Sequence, residues 1–294
     1  MNSIFDQQFL ASLERLALQG RKILAGRYSG ERRSPNKGSS VEFADFRSYA
    51  SGDDFRHIDW NAYARTERLF LKLFMEEQDL LLNLFLDLSQ SMDWGEPSKA
   101  IVARKIAAAL AYLALNSFDR VAIASCADHL GAFLPPVRGR GSLPRVWDFI
   151  AALAGGGTTD LNQSLKEFGR FAQGAGMAVV ISDFLSPNGY VEGLKYLQYL
   201  KQDVIVLQIL APEELNPELN GNFRLVDCET GEAREATLTP LVLKAYQQKL
   251  QQFTAEIRDF CHKHNMGFGQ ISSAQPLEEI ILRSLPAAGI LGRR

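Results

Sequence analysis

The sequence predicts an α/β protein: a doubly wound, mostly parallel sheet with an N-terminal helix and a loop-rich extension. Strand-length apolar runs near Leu80, Arg120, Met177, Val204 and Gly267 alternate with longer helical patterns, the order from which parallel sheets are wound. The run LLLNLFL from Leu80 is apolar at consecutive positions, so it suits a strand covered on both faces. Two of these runs end in an aspartate, Asp87 and Asp183, where the chain leaves the sheet.

With 294 residues the chain has room for one large domain or two small ones. We place residues 1–79 as an extension packed on the core and residues 80–294 as the wound sheet. Net charge is −2, so no global field draws the chain to nucleic acid or anionic lipid. Cys126, Cys228 and Cys261 are odd in number and form no CxxC pair, which fits a reduced, cytoplasmic setting without a zinc cluster. No apolar stretch approaches the roughly 20 residues of a membrane span, and the start lacks the pattern of a signal peptide.

Residues 4–18 set Ile4, Phe5, Phe9, Leu10, Leu13, Leu16 and Ala17 at helical spacing. A basic arm follows, with Arg21, Lys22, Arg27, Arg32, Arg33 and Lys37 against Glu31. Such an arm can grip phosphates. It has no run of interleaved aromatics, so a solvated or partner-contacting loop is preferred. Residues 50–54 read as a turn. Asp53, Asp54, Arg56, His57, Asp59, Trp60, Tyr63 and Arg65 then crowd together. A metal cluster at Asp53, Asp54, His57 and Asp59 is one reading. A network of ion pairs and hydrogen bonds pinning a loop, with Trp60 and Tyr63 as apolar anchors, is the better one.

Arg68 to Met75 reads as a strand turning through residues 76–79 into the Leu80 strand as an antiparallel hairpin. Pro97 opens an Ala-rich, largely buried helix. Leu130 to Leu134 pairs with the strand at Arg120, and Ser142 caps a helix through Leu153. Gly155-Gly156-Gly157 lets the backbone approach another group closely. Thr159 or Asp160 caps the next helix, which leaves room for a site role as well. After the strands at Met177 and Val204, Phe223 to Thr239 forms a hairpin around Glu229-Thr230-Gly231. A long helix, Leu241 to His264, a strand at Gly267 and a helix from Leu277 complete the chain.

Asp87, Ser89 and Ser91 lean the same way if the extended chain persists. The order of a wound sheet reverses between the Leu80 and Met177 strands, and ligands sit at such reversals, beyond the strands' carboxyl ends. Asp87, Ser89, Ser91, Thr159 and Asp183 therefore converge. Hard oxygens of this kind suit Mg2+ or Mn2+. The bland alternative is that Ser91 or Asp93 caps the following helix.

Asp-x-Ser-x-Ser, then Thr, then Asp at these strand ends resembles the von Willebrand factor A fold with its metal-ion-dependent adhesion site. Thr159 is chosen over Thr158 because it stands six residues before the helix-facing Leu165, as that motif prefers. The resemblance implies that Ser89, Ser91 and Thr159 bind Mg2+ directly, that Asp87 and Asp183 act largely through water, and that an open position takes a partner's carboxylate. A longer resemblance runs from Gly26 to Glu77, SxxxGxxxEFADFRSYxxGDDFRHIDWNAYARTERLFLKLF. It is similar to the bacterial domain-of-unknown-function family 58 (DUF58), in which this block precedes a von Willebrand factor A-like domain. That likeness implies a signature loop at Asp53, Asp54, Arg56, Asp59, Trp60 and Arg65, structural or partner-binding. It also implies a link to MoxR-type AAA+ ATPases. Many relatives carry membrane helices before the block; none is expected here.

Three functions are weighed. The preferred one is a non-enzymatic, cation-dependent module that holds a partner's acidic side chain. The second is a divalent-metal-dependent hydrolase using Asp87, Asp183 and the Asp53–Asp59 group. Against it, His57, His129, His262 and His264 lack ligand spacing, and no Gly-x-Ser-x-Gly or phosphate loop occurs. The third is a scaffold with a vestigial site that never binds metal.

Overall fold

A computed structural model describes Phe9, Leu13 and residues 43–50, 53–74, 80–117 and 119–290. It divides into two compact units, Ala25–Asp79 and Met1–Leu24 with Leu80–Arg294. Phe9 and Leu13, one helical turn apart, are both helical and buried. The rest of the expected first helix and the basic arm lie outside the described residues.

In the smaller unit β1 (Phe43–Ser48) pairs antiparallel with β2 (Phe70–Phe74). Between them lie a 3₁₀ turn (Phe55–His57) and α1 (Trp60–Thr66). The expected hairpin between β2 and the Leu80 strand does not form. That strand, β3 (Leu81–Asp87), is central: β4 (Arg120–Cys126) occupies one edge and β6 the other. No edge is left for β2.

In the larger unit, α2 (Lys99–Asn116) follows β3. Its cap is Ser98, which accepts the Ile101 N–H; Pro97 lies in the preceding turn and does not open the helix. β5 (Leu130–Arg138) lies antiparallel to β4 at the sheet edge. Ser142 makes no cap for α3 (Leu143–Ala152); its hydroxyl donates to the Arg138 carbonyl instead. Next come α4 (Leu161–Glu167), β6 (Gly176–Ser182), α5 (Val191–Tyr199), β7 (Gln202–Leu210) and the short α6 (Pro212–Leu215). The hairpin β8 (Gly221–Val226) and β9 (Ala233–Leu238), the long α7 (Pro240–Lys263), β10 (Gly267–Ser272) and a helical tail from Leu277 complete the fold.

The sheet order is β10-β7-β6-β3-β4-β5, parallel except for β5. This is the expected doubly wound sheet, with its reversal between β3 and β6. All seven residues of β3 are buried, and each large apolar side chain there contributes about 1.5–3 kcal/mol by leaving water. Phe85 enters a cluster with Leu161, Leu165, Phe168, Leu194 and Ile257, from the α4, α5 and α7 side. α2 packs on β3 and β4. The polar Asn83 is tolerated in this strand because its amide donates to Gln202 Oε1 at 2.8 Å.

Candidate functional site

β3 and β6 end side by side, and each delivers a buried carboxylate where the sheet order reverses. Asp87 Oδ1 accepts the Ser89 N–H at 3.0 Å, and Oδ2 accepts the Ser182 hydroxyl at 2.5 Å. Strand geometry stops at Asp87, and a 3₁₀ turn, Gln90–Asp93, follows. Ser89 and Ser91 are thus gathered by a turn rather than by continued extension, and their hydroxyl oxygens stand 3.2 Å apart. Neither Ser91 nor Asp93 caps α2, which leaves Ser91 available to the site.

The glycine loop closes the third side. Gly156 N–H donates to the Leu88 carbonyl at 2.8 Å, and Gln90 N–H donates to the Gly157 carbonyl at 3.0 Å. Gly156 and Gly157 have φ of 127° and 82°, values that favour glycine. The cap of α4 falls to Asp160, whose Oδ1 accepts the Gln163 N–H at 2.9 Å. Thr159 is therefore released from capping. It is 4% exposed and held by Glu229, at the tip of the β8–β9 hairpin: its hydroxyl donates to Oε1 at 2.7 Å and its N–H to Oε2 at 3.1 Å.

Asp183 is fully buried. Its Oδ1 accepts the Leu185 N–H at 3.0 Å, and its Oδ2 accepts from Lys99 Nζ at 2.8 Å. Lys99 also reaches Glu214 Oε1 at 2.6 Å, and Glu214 Oε2 accepts the Ala211 N–H at 2.7 Å. Burial alone would push the lysine down, but the charges of Asp183 and Glu214 outweigh it and the net shift is upward. Among the described residues Asp87 has only neutral hydrogen-bond donors. Burial first, then the charge of Asp183, raises it to about 6 against the opposing bonds from Ser182 and Ser89.

Hydroxyls and carboxylates are the donor types that a small hard cation takes. Adjacent oxygens of a Mg2+ octahedron lie about 3 Å apart, given metal–oxygen distances near 2.1 Å, and the Ser89 and Ser91 hydroxyls meet that spacing. Thr159 donates its one proton to Glu229 and keeps lone pairs free. Asp87 is a buried carboxylate near a second one, and among the described residues its hydrogen bonds come from Ser89 and Ser182 and not from a cation. Asp183 already has one in Lys99.

A family model described as "Protein of unknown function DUF58" matches residues 45–256. The chain belongs to the DUF58 family. The doubly wound, mostly parallel sheet that the von Willebrand factor A resemblance implies is the sheet observed. An uncharacterized protein of Mycobacterium tuberculosis strain H37Rv is 26% identical over 86% of this chain and 81% of its own length. Among solved structures, the conserved hypothetical protein BatB of Bacteroides thetaiotaomicron is 15% identical, with a TM-score of 0.44, over 71% of this chain and 98% of that one. The VWA domain of SpRpn10 is 10% identical, with a TM-score of 0.40, over 70% and 94%.

The DUF58 signature loop lies in the smaller unit and is described by itself. Asp53 pairs with Arg47 at 2.7 Å and accepts the Ala50 N–H at 2.9 Å, which makes the expected turn. Asp54 accepts the Arg56 N–H, and Asp59 caps α1 through the Asn61 and Ala62 N–H groups. Arg65 Nε donates to the Asn61 carbonyl at 3.2 Å. Trp60 and Tyr63 are not buried anchors: they are 60% and 43% exposed, and they meet each other edge to face. α1 buries none of its residues, and the loop is pinned instead by Ile58 and Asp59 bonding to β2. Among the described residues no group of three or more His, Cys, Asp or Glu is placed to hold a metal. The carboxylates of this loop act as caps and ion-pair partners.

Sequence reasoning missed Lys99, Glu214, Glu229 and Ser182. Lys99 left one trace: a cation in a helix's first turn opposes the helix dipole, so its placement there needed an acidic partner.

Proposed function

We propose that this DUF58 chain is a non-enzymatic protein-binding module. In this reading Asp87, Ser89, Ser91, Thr159 and Asp183 form a metal-ion-dependent adhesion-type site for Mg2+ or Mn2+, at which the acidic side chain of a partner docks. The observation that carries it is the pair of hydroxyls, 3.2 Å apart, beside a buried Asp87 raised to about 6. When bound, the cation would supply a positive charge with one position open to an outside oxygen. Ser89, Ser91 and Thr159 would hold it, Asp87 and Asp183 would balance it, and Lys99 would keep Asp183 fixed. A MoxR-type AAA+ ATPase is the partner that the family resemblance implies. A cytoplasmic location is proposed with it; free Cys126, Cys228 and Cys261 support that reading. No helix of the described residues is long and apolar enough to cross a membrane.

The test is thermal unfolding with and without Mg2+. At a hundredfold excess over Kd, the cation should add about 2.7 kcal/mol, or about 5–10 °C for a unit of this size. Asp87→Ala and the milder Ser91→Ala should remove that response. An unchanged response in both variants refutes the site. Lys99 favours a second reading, because an internal ammonium already neutralises Asp183: a scaffold that never takes metal. A flat Mg2+ titration of the wild-type chain would select it.

A further inference from the structure

We propose that Glu229 is an internal competitor for this site, and that the β8–β9 hairpin must lift before a partner's carboxylate can enter. The inference rests on the adhesion-type reading above and names how that site is regulated. Glu229 presents both carboxylate oxygens to Thr159, one to the hydroxyl and one to the N–H. That carboxylate stands against Thr159, one of the residues that would hold the cation, so an outside aspartate or glutamate approaching the cation's open position would meet an acidic group already there. The chain thus brings its own acidic side chain to the site.

The hairpin is built to dock and to leave. Its tip holds its own shape: Asp227 Oδ1 accepts the Glu229 and Thr230 N–H groups at 2.9 and 2.8 Å, and Gly231 N–H donates to the Asp227 carbonyl. The contact with Thr159 is not needed to form that loop. Most of both strands is exposed, including Leu225 and Val226 at 45% and 59%. Little apolar area therefore ties the hairpin down; Leu238 at its base is the buried exception. The other end of the base is Gly221, with φ of 117° and open space where a side chain would sit, so no side chain of its own hinders a turn of the backbone there. The occupant that replaces Glu229 is an acidic side chain on an extended or looped segment of another protein, because that is the shape the hairpin itself offers.

The experiment compares the full chain with Glu229→Ala, a half-buried surface change that leaves the sheet intact. Hydrogen exchange is followed at the β8 and β9 amides. Binding of a labelled peptide with one central aspartate, and of its asparagine counterpart, is followed by anisotropy with Mg2+ and with EDTA. The variant should exchange about tenfold faster in the hairpin, the value of one charge-assisted hydrogen bond, with β3 and β6 unchanged. It should also bind the aspartate peptide about tenfold more tightly than wild type, only with Mg2+. If Mg2+ stabilises both proteins while hairpin exchange and peptide affinity stay at wild-type values, the competitor is refuted and the metal site stands. If Mg2+ stabilises neither protein, the adhesion-type reading falls and takes the competitor with it.

Discussion

Asp87 and Asp183 sit at neighbouring strand ends, both buried, and the chain treats them differently. Asp183 has the Lys99 ammonium at 2.8 Å, whereas Asp87 has Ser182 and the Ser89 N–H. Removing Lys99 leaves Asp183 buried and uncompensated. Lys99→Met should therefore cost about 3–5 kcal/mol in urea unfolding, and adding Asp183→Asn should recover part of the loss. Strict additivity of the two changes would show that they do not interact. The carboxylates could be read from the sequence because each ends an apolar run. The partners of Lys99 could not, since Asp183 and Glu214 lie 84 and 115 residues away in the chain.

At the scale of elements, the Thr159 loop depends on the cap that follows it. Asp160→Ala should cost about 0.5–2 kcal/mol, read as a lower midpoint in chemical denaturation, and should loosen the segment that presents Thr159. α4 is also tied to the sheet edge by Glu167, whose carboxylate accepts the Leu130 N–H at 3.0 Å and the Gln163 amide. The Leu130 N–H first, then the Gln163 amide, hold that carboxyl below its usual 4.5. A carboxyl depressed in the folded state adds stability that is present above pH 4.5 and fades as the pH falls below it. Glu167→Ala should thus lower Tm at neutral pH, and the gap to wild type should narrow in acid; a constant gap would rule this linkage out. In the core, Phe85 meets Phe168 edge to face at 4.8 Å. Phe85→Ala should cost about 3–5 kcal/mol by cavity formation, measurable in the same way. Element boundaries followed from periodicity and glycine positions. The fate of β2 did not, because strand character says nothing about which edges are open.

For the whole molecule, the wound sheet brings distant segments to one edge, where the proposed site would lie. If cation and partner act together, a partner captured on the intact chain should release with EDTA and be retained with Mg2+; retention equal in both would separate partner binding from the site. The net charge of −2 points the same way: weak retention on nucleic acid is expected at physiological salt, checked by a salt-dependent shift assay.

The sequence by itself determined the wound sheet, the reversal of its order between β3 and β6, and the aspartates that end those two strands. Burial imposes a local pattern, and an apolar run that ends in aspartate announces both the strand and its tip. Tertiary structure alone decided which charges meet. Lys99 lies 84 residues from Asp183 and 115 from Glu214, and Thr159 lies 70 from Glu229. Ion pairs and docked carboxylates across such separations have no periodicity to betray them; they exist only once the helix, the strand ends and the hairpin have been carried to the same edge of the sheet.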